Sequence, residues 1–203
     1  MSAWPRTVAA SAAGLLLWGC VSLGESEPQR YYVLAPDAAP NPAPQSASRA
    51  ATLLIAPMSA SAFYETTDIA YSRASGERAY YRSSHWTERP GVRLTETLIA
   101  RLQRSGSFET VAHASSGVQG DLLLATHLQS FYHDAVQPPG RVVVALVAEL
   151  IDPAARTLLA RKSFERSAPA RSYDAGGAVN AFDQATGAVL NDIAQWVNAT
   201  APR

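Results

Sequence analysis

Residues 142–151 read VVVALVAELI, a ten-residue apolar run interrupted by a single charge, Glu149. Half of its residues are β-branched, and the apolar residues do not alternate with polar ones. A strand with this composition is typically buried on both faces, as happens in the middle of a sheet. We therefore predict that residues 142–151 form a central strand.

The segments on either side of this run also have strand character. Before it, residues 121–132 (DLLLATHLQSFY) place an apolar side chain on one face at Leu122, Leu124, Leu128 and Tyr132. After it, Asp152 and Pro153 start a polar turn, and residues 157–166 (TLLARKSFER) lead away. Consecutive strands joined by short turns are typical of antiparallel pairing, so the three segments predict a β-meander.

Two helices are predicted from apolar spacing of three and four residues. The first spans residues 90–105, with Pro90 in its first turn and Gly106 as its C-terminal cap. The second spans about residues 177–198. The predicted buried stripes comprise Val92, Thr95, Leu98, Ile99 and Leu102 in the first helix, and Val179, Phe182, Thr186, Val189, Leu190, Ile193, Trp196 and Val197 in the second.

Shorter strand-like segments precede the first helix and follow it directly. They are YYVL at 31–34, an apolar run at 52–56, a hairpin within 62–86 that turns near Gly76, and FETVA at 108–112. Taken together, the pattern predicts an α+β fold with a mainly antiparallel β-sheet and two main helices packed against it. Residues 51–203 are predicted to form a single domain of this kind.

Composition and charge narrow the possible functions. The chain of 203 residues is 47% apolar, and its 17 basic residues balance 17 acidic ones. A nucleic-acid-binding domain would carry a basic excess, so this class is disfavoured. The single cysteine also excludes a cysteine-based metal site.

A search for catalytic or ligand-binding motifs finds little. None of the phosphate-binding, dinucleotide-binding or serine-hydrolase motifs is present. His127 and His133 would share a strand face but lie about 20 Å apart, too far to chelate one metal. His85 and His113 also fit ordinary polar positions. Glu65, Asp68 and Glu88 could act as acid–base partners, but solvated or capping carboxylates are far commoner. We therefore predict no enzyme activity, no metal and no cofactor.

The only cysteine, Cys20, ends an apolar run near the N-terminus (LLLWGC, 15–20). It could be a core residue, a reactive thiol, half of an intermolecular disulfide or an attachment site. Arg6 precedes an uncharged stretch at residues 7–18, which is shorter than the about 20 apolar residues that cross a bilayer. This layout is typical of an export signal, with a short buried helix as the alternative.

The end of the run resembles a bacterial lipobox through Leu17, Gly19 and Cys20, although Trp18 is larger than the residue usual at that position. The resemblance implies a lipoprotein signal peptide at residues 1–19 and lipidation of Cys20. Val21 follows in place of the aspartate that implies retention at the inner membrane, which favours the outer membrane. Residues 20–50 are then predicted to be a lipid-anchored tether with a short strand and a Pro/Ala-rich linker.

Residues 68–90 (DIAYSRASGERAYYRSSHWTERP) interleave aromatic residues with arginines. One interpretation is a partner interface, where such residues are enriched. The other is a hairpin with a half-buried aromatic face covered by arginines, and the sequence leaves both open. Tyr80, Tyr81 and Arg82 are the predicted partner contacts, and Trp86 is predicted to anchor the hairpin in the core.

These features together resemble the ABC-type transport auxiliary lipoproteins. The similarity is carried by the lipobox, YYVL, a strand ending in APM, and residues 69–111, where an aromatic–Arg pair, a Tyr pair and a Trp-x-Glu-x-Pro element precede the helix. The matching residues are Tyr71, Arg73, Tyr80, Tyr81, Trp86, Glu88, Pro90, Leu98, Leu102, Gly106 and Phe108. The later LQSFYHD (128–134) is also similar.

Members of this family include PqiC-like outer-membrane lipoproteins that accompany MCE-type transporters. The resemblance therefore implies an accessory subunit of an intermembrane lipid-transport system. This subunit would be the docking or receiving component at the outer membrane and would contribute to membrane integrity. Its implied partners are a periplasmic MCE-family protein with an ABC permease and ATPase, and a homo-oligomer is compatible with this role. A free-standing periplasmic lipid- or amphiphile-binding module is the alternative, with residues 142–151 lining its pocket.

Overall fold

The computed structural model describes residues 27–36 and 49–202. This part of the chain forms nine strands and two helices. The strands are β1 (Arg30–Tyr32), β2 (Arg49–Ile55), β3 (Ser59–Ala60), β4 (Asp68–Ser72), β5 (Ala79–Trp86), β6 (Phe108–His113), β7 (Leu122–Asp134), β8 (Arg141–Asp152) and β9 (Thr157–Pro169), and the helices are α1 (Pro90–Ser105) and α2 (Ala175–Thr200). The predicted signal peptide, Cys20 and residues 37–48 of the predicted linker lie outside the described residues.

Strand β7 organises the sheet. Its whole length pairs antiparallel with β8, and β8 pairs antiparallel with β9, so the predicted meander is present. On its other edge, β2, β3 and β4 follow one another in parallel with β7. Strand β8 lies between two long partners, as its apolar composition predicts.

The prediction of a mainly antiparallel sheet was wrong, because the sheet is mixed. Strand β1 pairs in parallel with β5, β2 pairs in parallel with β6, and β2, β3 and β4 are all parallel to β7. Only the hairpin of β4 with β5 and the two pairings of β8 are antiparallel. A parallel pair needs a long crossover, here including α1 between β2 and β6, which local sequence periodicity does not reveal. The α+β class itself is correct.

A bulge in β7 changes which side chains share a face. The register with β8 shifts between Leu128 and Ser130, so Gln129 is the extra residue. One inserted residue turns every later side chain to the opposite face. Tyr132 is therefore not on the face of Leu128, and His133 is not on the face of His127, contrary to the predicted alternation.

Helix α1 has the predicted bounds. Pro90 occupies its first turn, and Gly106 ends it with a left-handed φ of 62° that glycine adopts without strain. The predicted stripe is correct except at Val92, which is 45% exposed, while Leu94 is fully buried in its place. Helix α2 begins two residues earlier than predicted, because the Asp174 side chain accepts a hydrogen bond from the Gly177 amide and caps it.

Both helices share one core with a single face of the sheet. On β8 the residues on this face are Val142, Val144, Leu146, Ala148 and Leu150, which are all completely buried. Trp86, Phe131 and Phe182 form an aromatic cluster between sheet and α2, with ring centroids 4.5–5.9 Å apart. Trp86 is 1% exposed, consistent with the predicted core anchor. Among the described residues, no helix is both long and apolar enough to cross a membrane.

Buried Arg101 fixes the segment after β1 against the helices. Its guanidinium donates to the carbonyl oxygen of Pro36, to the carbonyl oxygen of Gly187 and to Asn191 Oδ1. Charge-assisted hydrogen bonds of this kind satisfy a cation that would be costly to bury alone. Residues 30–36 are therefore tied to the domain through both the sheet and α1.

Candidate functional site

A surface cleft of about 670 Å³ opens where the β4–β5 hairpin meets the β7–β8 connection. Arg78 and the turn residues Ser75 and Gly76 border one side, and residues 136–141 border the other. Tyr132 and Asp134 at the end of β7 also line it. Its size lies within the range of small-molecule sites, so it is the first candidate for a ligand-binding function.

The charged groups of the cleft are two arginines and one carboxylate. The Arg78 guanidinium carbon lies 3.6 Å from the centroid of the Tyr132 ring, a close cation–π contact. Arg141 Nε lies 3.4 Å from Asp134 Oδ2, and the Arg141 side chain is 61% exposed. Neither Arg141 nor Asp134 is among the residues that the sequence predicted for a site. The Gln-Pro-Pro-Gly turn between two strands was the signal that could have pointed to them.

The hairpin segment 68–90 packs arginines over aromatic rings, as the second interpretation of its sequence describes. Arg73 lies over Tyr71 at 4.9 Å and over Tyr173 at 5.2 Å. Arg82 is exposed. The partner-interface interpretation is compatible with this packing, because the hairpin still presents aromatic and cationic groups to solvent.

The predicted contact residues do not form one patch. Tyr80 is 37% exposed, stacks on Phe63 with centroids 4.3 Å apart, and donates its hydroxyl to the Phe63 carbonyl. Tyr81 is half-buried, and its ring contacts that of Tyr71. Neighbouring strand residues point to opposite faces, which separates Tyr80 from Tyr81. Tyr80 and Arg82 are therefore the accessible members of the predicted set.

Tyr81 belongs to a partly buried hydrogen-bond network with His133. His133 Nε2 lies 2.9 Å from the Pro139 carbonyl oxygen, and its Nδ1 lies 2.8 Å from the Tyr81 hydroxyl. A carbonyl can only accept, so Nε2 carries a proton, and in the neutral ring Nδ1 accepts a hydrogen bond from the Tyr81 hydroxyl. Burial lowers the pKa of His133, opposed by the Pro139 carbonyl and by Asp134 and Asp174, and Arg73 lowers it further. Burial likewise raises the pKa of Tyr81 above its ordinary value.

This network predicts a loss of stability in mild acid. The pKa of His133 is lower in the folded chain than the about 6.5 of an unfolded histidine, so the unfolded state binds the proton more readily. The contribution of His133 to the free energy of unfolding should therefore be at its maximum above about pH 6.5 and should decrease as the pH falls below that value. Urea unfolding at several pH values measures this slope. His133→Gln should show a shallower slope than the unchanged protein, and equal slopes would contradict the assignment.

The other predicted polar residues occupy separate positions. His85 Nδ1 lies 2.8 Å from Asp68 Oδ1, and His113 pairs with Glu96 at 2.9 Å. His127 Nδ1 lies 2.9 Å from Ser59 Oγ on the sheet face away from the helices. Within residues 27–36 and 49–202, no three His, Cys, Asp or Glu side chains are grouped closely enough to hold a metal ion.

The fold and cleft define a small α+β module whose two helices pack on one face of a mixed sheet. A sequence model of the family described as the ABC-type transport auxiliary lipoprotein component matches residues 32–194. The match covers most of the chain, and the chain belongs to this family. The resemblance inferred from the lipobox, YYVL and residues 69–111 is thus confirmed. No curated protein matches the chain.

Solved structures share the fold at low sequence identity. A protein from Xanthomonas campestris is 22% identical, with 84% of this chain and 95% of that chain covered and a TM-score of 0.73. An uncharacterized protein is 17% identical, with 84% and 99% covered and a TM-score of 0.66. A hypothetical protein from Chlamydia trachomatis is 9% identical, with 75% and 98% covered and a TM-score of 0.52.

Proposed function

We propose that this protein is a lipid-anchored accessory subunit of an MCE/ABC-type intermembrane lipid-transport system, acting as a docking or receiving component at the outer membrane. The observation that carries the proposal is the family match over residues 32–194, which identifies a transport auxiliary lipoprotein component. In this role the protein contributes binding and not ATP hydrolysis, and it supports membrane integrity by assisting lipid movement. Its partners are a periplasmic MCE-family protein and, through it, the ABC permease and ATPase.

The anchor in this proposal is Cys20. The Leu17, Gly19 and Cys20 pattern supports lipidation, and two or more acyl chains hold a protein stably on a bilayer. Strand β1 begins at Arg30, so nine residues separate Cys20 from the sheet, a length that fits a tether. The stretch from Cys20 to Arg30 spans at most roughly 35 Å, which would keep the domain near the membrane surface.

Cys20→Ala should release the protein from the membrane into the periplasm. Without acyl chains, the domain loses its covalent membrane attachment. Because stable anchoring depends on two or more acyl chains, the share of the protein found on the membrane should fall to about a few per cent. Membrane fractionation followed by immunoblotting measures this share. Cys20→Ala protein that still sediments with the outer membrane would contradict the anchor.

Docking to an MCE protein is tested best at the accessible hairpin residues. A photoreactive amino acid at Tyr80 or at Arg82 should crosslink to the MCE protein in intact cells. The same substitution at Val118, which is 46% exposed in the loop before β7, is the matched control. Crosslinks from Val118 as strong as those from Tyr80 and Arg82, or none from any position, would contradict this docking surface.

Two further parts of the proposal concern assembly and lipid binding. A homo-oligomer is compatible with the long β9, whose outer edge has no strand partner among the described residues. The alternative function, a free-standing amphiphile-binding module, placed residues 142–151 along a pocket. Val142, Val144 and Leu146 are instead completely buried against the helices, which favours a solid core on that side of the strand. A ligand site would have to lie elsewhere.

A further inference from the structure

The cleft between the β4–β5 hairpin and the β7–β8 connection combines cationic and apolar walls. Arg78 and Arg141 supply two guanidinium groups. Val136, Pro138 and Pro139 supply an apolar wall beside them, and Val136 is 44% exposed although it is aliphatic. A cleft with a cationic wall beside an apolar wall fits a ligand that carries an anionic group next to an apolar one.

Arg78 is already oriented for binding. Its guanidinium lies over the Tyr132 ring, and its Nη1 donates to the Glu77 carbonyl at 2.7 Å. These two contacts hold the planar group but occupy only one of its five N–H donors with a hydrogen bond. Among the described residues, no carboxylate forms an ion pair with Arg78. The remaining N–H groups can therefore form the paired hydrogen bonds that guanidinium makes with phosphate oxygens.

The balance of charge selects the type of anion. Arg78 and Arg141 contribute two positive charges, Asp134 contributes one negative charge, and no other charged residue lines the cleft. The lining therefore carries a net charge of 2 − 1 = +1. A single negative charge neutralises it, whereas a dianion would leave an excess that also repels Asp134.

We propose that this cleft binds a singly charged phosphodiester flanked by an apolar group. Arg78 receives the phosphate oxygens, Arg141 contributes the second cation from the start of β8, and the Val136–Pro139 wall contacts the apolar part. The chemistry is shared by the headgroup of an anionic phospholipid and by a water-soluble phosphodiester. The proposed function names lipid transport as the role of the whole system but assigns this protein no ligand chemistry and no ligand cleft, and this inference supplies both from the cleft alone.

Isothermal titration calorimetry with the full-length protein in a non-ionic detergent tests the site. Three probes distinguish a phospholipid from a soluble phosphodiester and an anionic headgroup from a zwitterionic one. They are dihexanoyl-phosphatidylglycerol, its deacylated counterpart glycerophosphoglycerol, and dihexanoyl-phosphatidylcholine. We expect dihexanoyl-phosphatidylglycerol to bind and the zwitterionic dihexanoyl-phosphatidylcholine to bind at least about tenfold more weakly. Arg78→Gln should weaken the anionic lipid by about tenfold, the scale of one lost charge-assisted pair.

The matched control is Arg104→Gln, which removes an exposed arginine at the end of α1 on the helical side of the protein. It should bind as the unchanged protein does. Arg78→Lys keeps the charge but not the paired geometry, so an intermediate affinity is expected. Circular dichroism melting confirms that each variant is folded.

The possible results distinguish a lipid headgroup from a soluble phosphodiester and include those that would contradict the proposal. Binding of the acylated anion alone identifies a lipid headgroup, and equal binding of glycerophosphoglycerol identifies a soluble phosphodiester. Equal binding of both lipids, an unchanged affinity in Arg78→Gln, or no binding would overturn the site. Failure of the MCE crosslinks with intact phosphodiester binding would reject the proposed function and leave this site standing.

Discussion

Replacing Phe182 with alanine is expected to lower the free energy of unfolding by about 3–5 kcal/mol, because the change leaves a large cavity in a close-packed core. Phe182 is completely buried in α2, and its ring lies 4.5 Å from that of Phe131 and 5.1 Å from that of Trp86. The cluster joins β5, β7 and α2, so the loss should affect the whole domain. Urea unfolding followed by circular dichroism measures the change.

Val92→Ala is the matched control for this prediction. Val92 is also an apolar residue of a helix but is 45% exposed, so little packing is lost and a change within about 0.5 kcal/mol is expected. A loss below about 1 kcal/mol for Phe182→Ala would show that the surrounding side chains collapse into the space. The aromatic cluster would then not be the main link between α2 and the sheet.

Local sequence patterns predicted the helices and strands but not all of the pairings between strands. Pro90 and Gly106 mark the two ends of α1, because each fits a backbone geometry found at one helix end. The β7–β9 meander was also predictable, because its turns join strands adjacent in sequence. The parallel pairing of Tyr31 with His85 joins segments 54 residues apart, and no local signal encodes it.

The candidate site was less predictable, because it depends on how distant segments meet. Arg78 could be noticed in the hairpin, but its contact with Tyr132 requires β4 and β7 to be neighbours. His133 fitted an ordinary polar position, yet the bulge at Gln129 places its side chain on the face of the sheet that packs against the helices. Its contact with Tyr81 then gives that tyrosine a structural role, while partner contact at Tyr80 and Arg82 stays a prediction.

Gly140→Ala should be the most disruptive single change in the loop beside the cleft. Gly140 has a φ of 88°, which costs an L-residue about 1–2 kcal/mol. An added Cβ would also collide with the Asp134 carbonyl oxygen and with His133 Nε2. Relieving such overpacking costs typically a further 1–3 kcal/mol, so a total loss of about 2–5 kcal/mol is expected in urea unfolding.

Gly117→Ala separates the two contributions of that loss. Gly117 has a similar φ of 78°, but an added Cβ there would meet no atom within 4 Å. It should therefore lose only the backbone part, about 1–2 kcal/mol. The excess in Gly140→Ala measures the collision with the Asp134 carbonyl oxygen and His133 Nε2. Burial is the largest cause of the lowered His133 pKa, so a collision that pushes the ring out of its buried position should also flatten the acid-dependent slope. Equal losses in the two variants would mean that the Pro138–Gly140 turn shifts freely and does not confine His133 to its buried position.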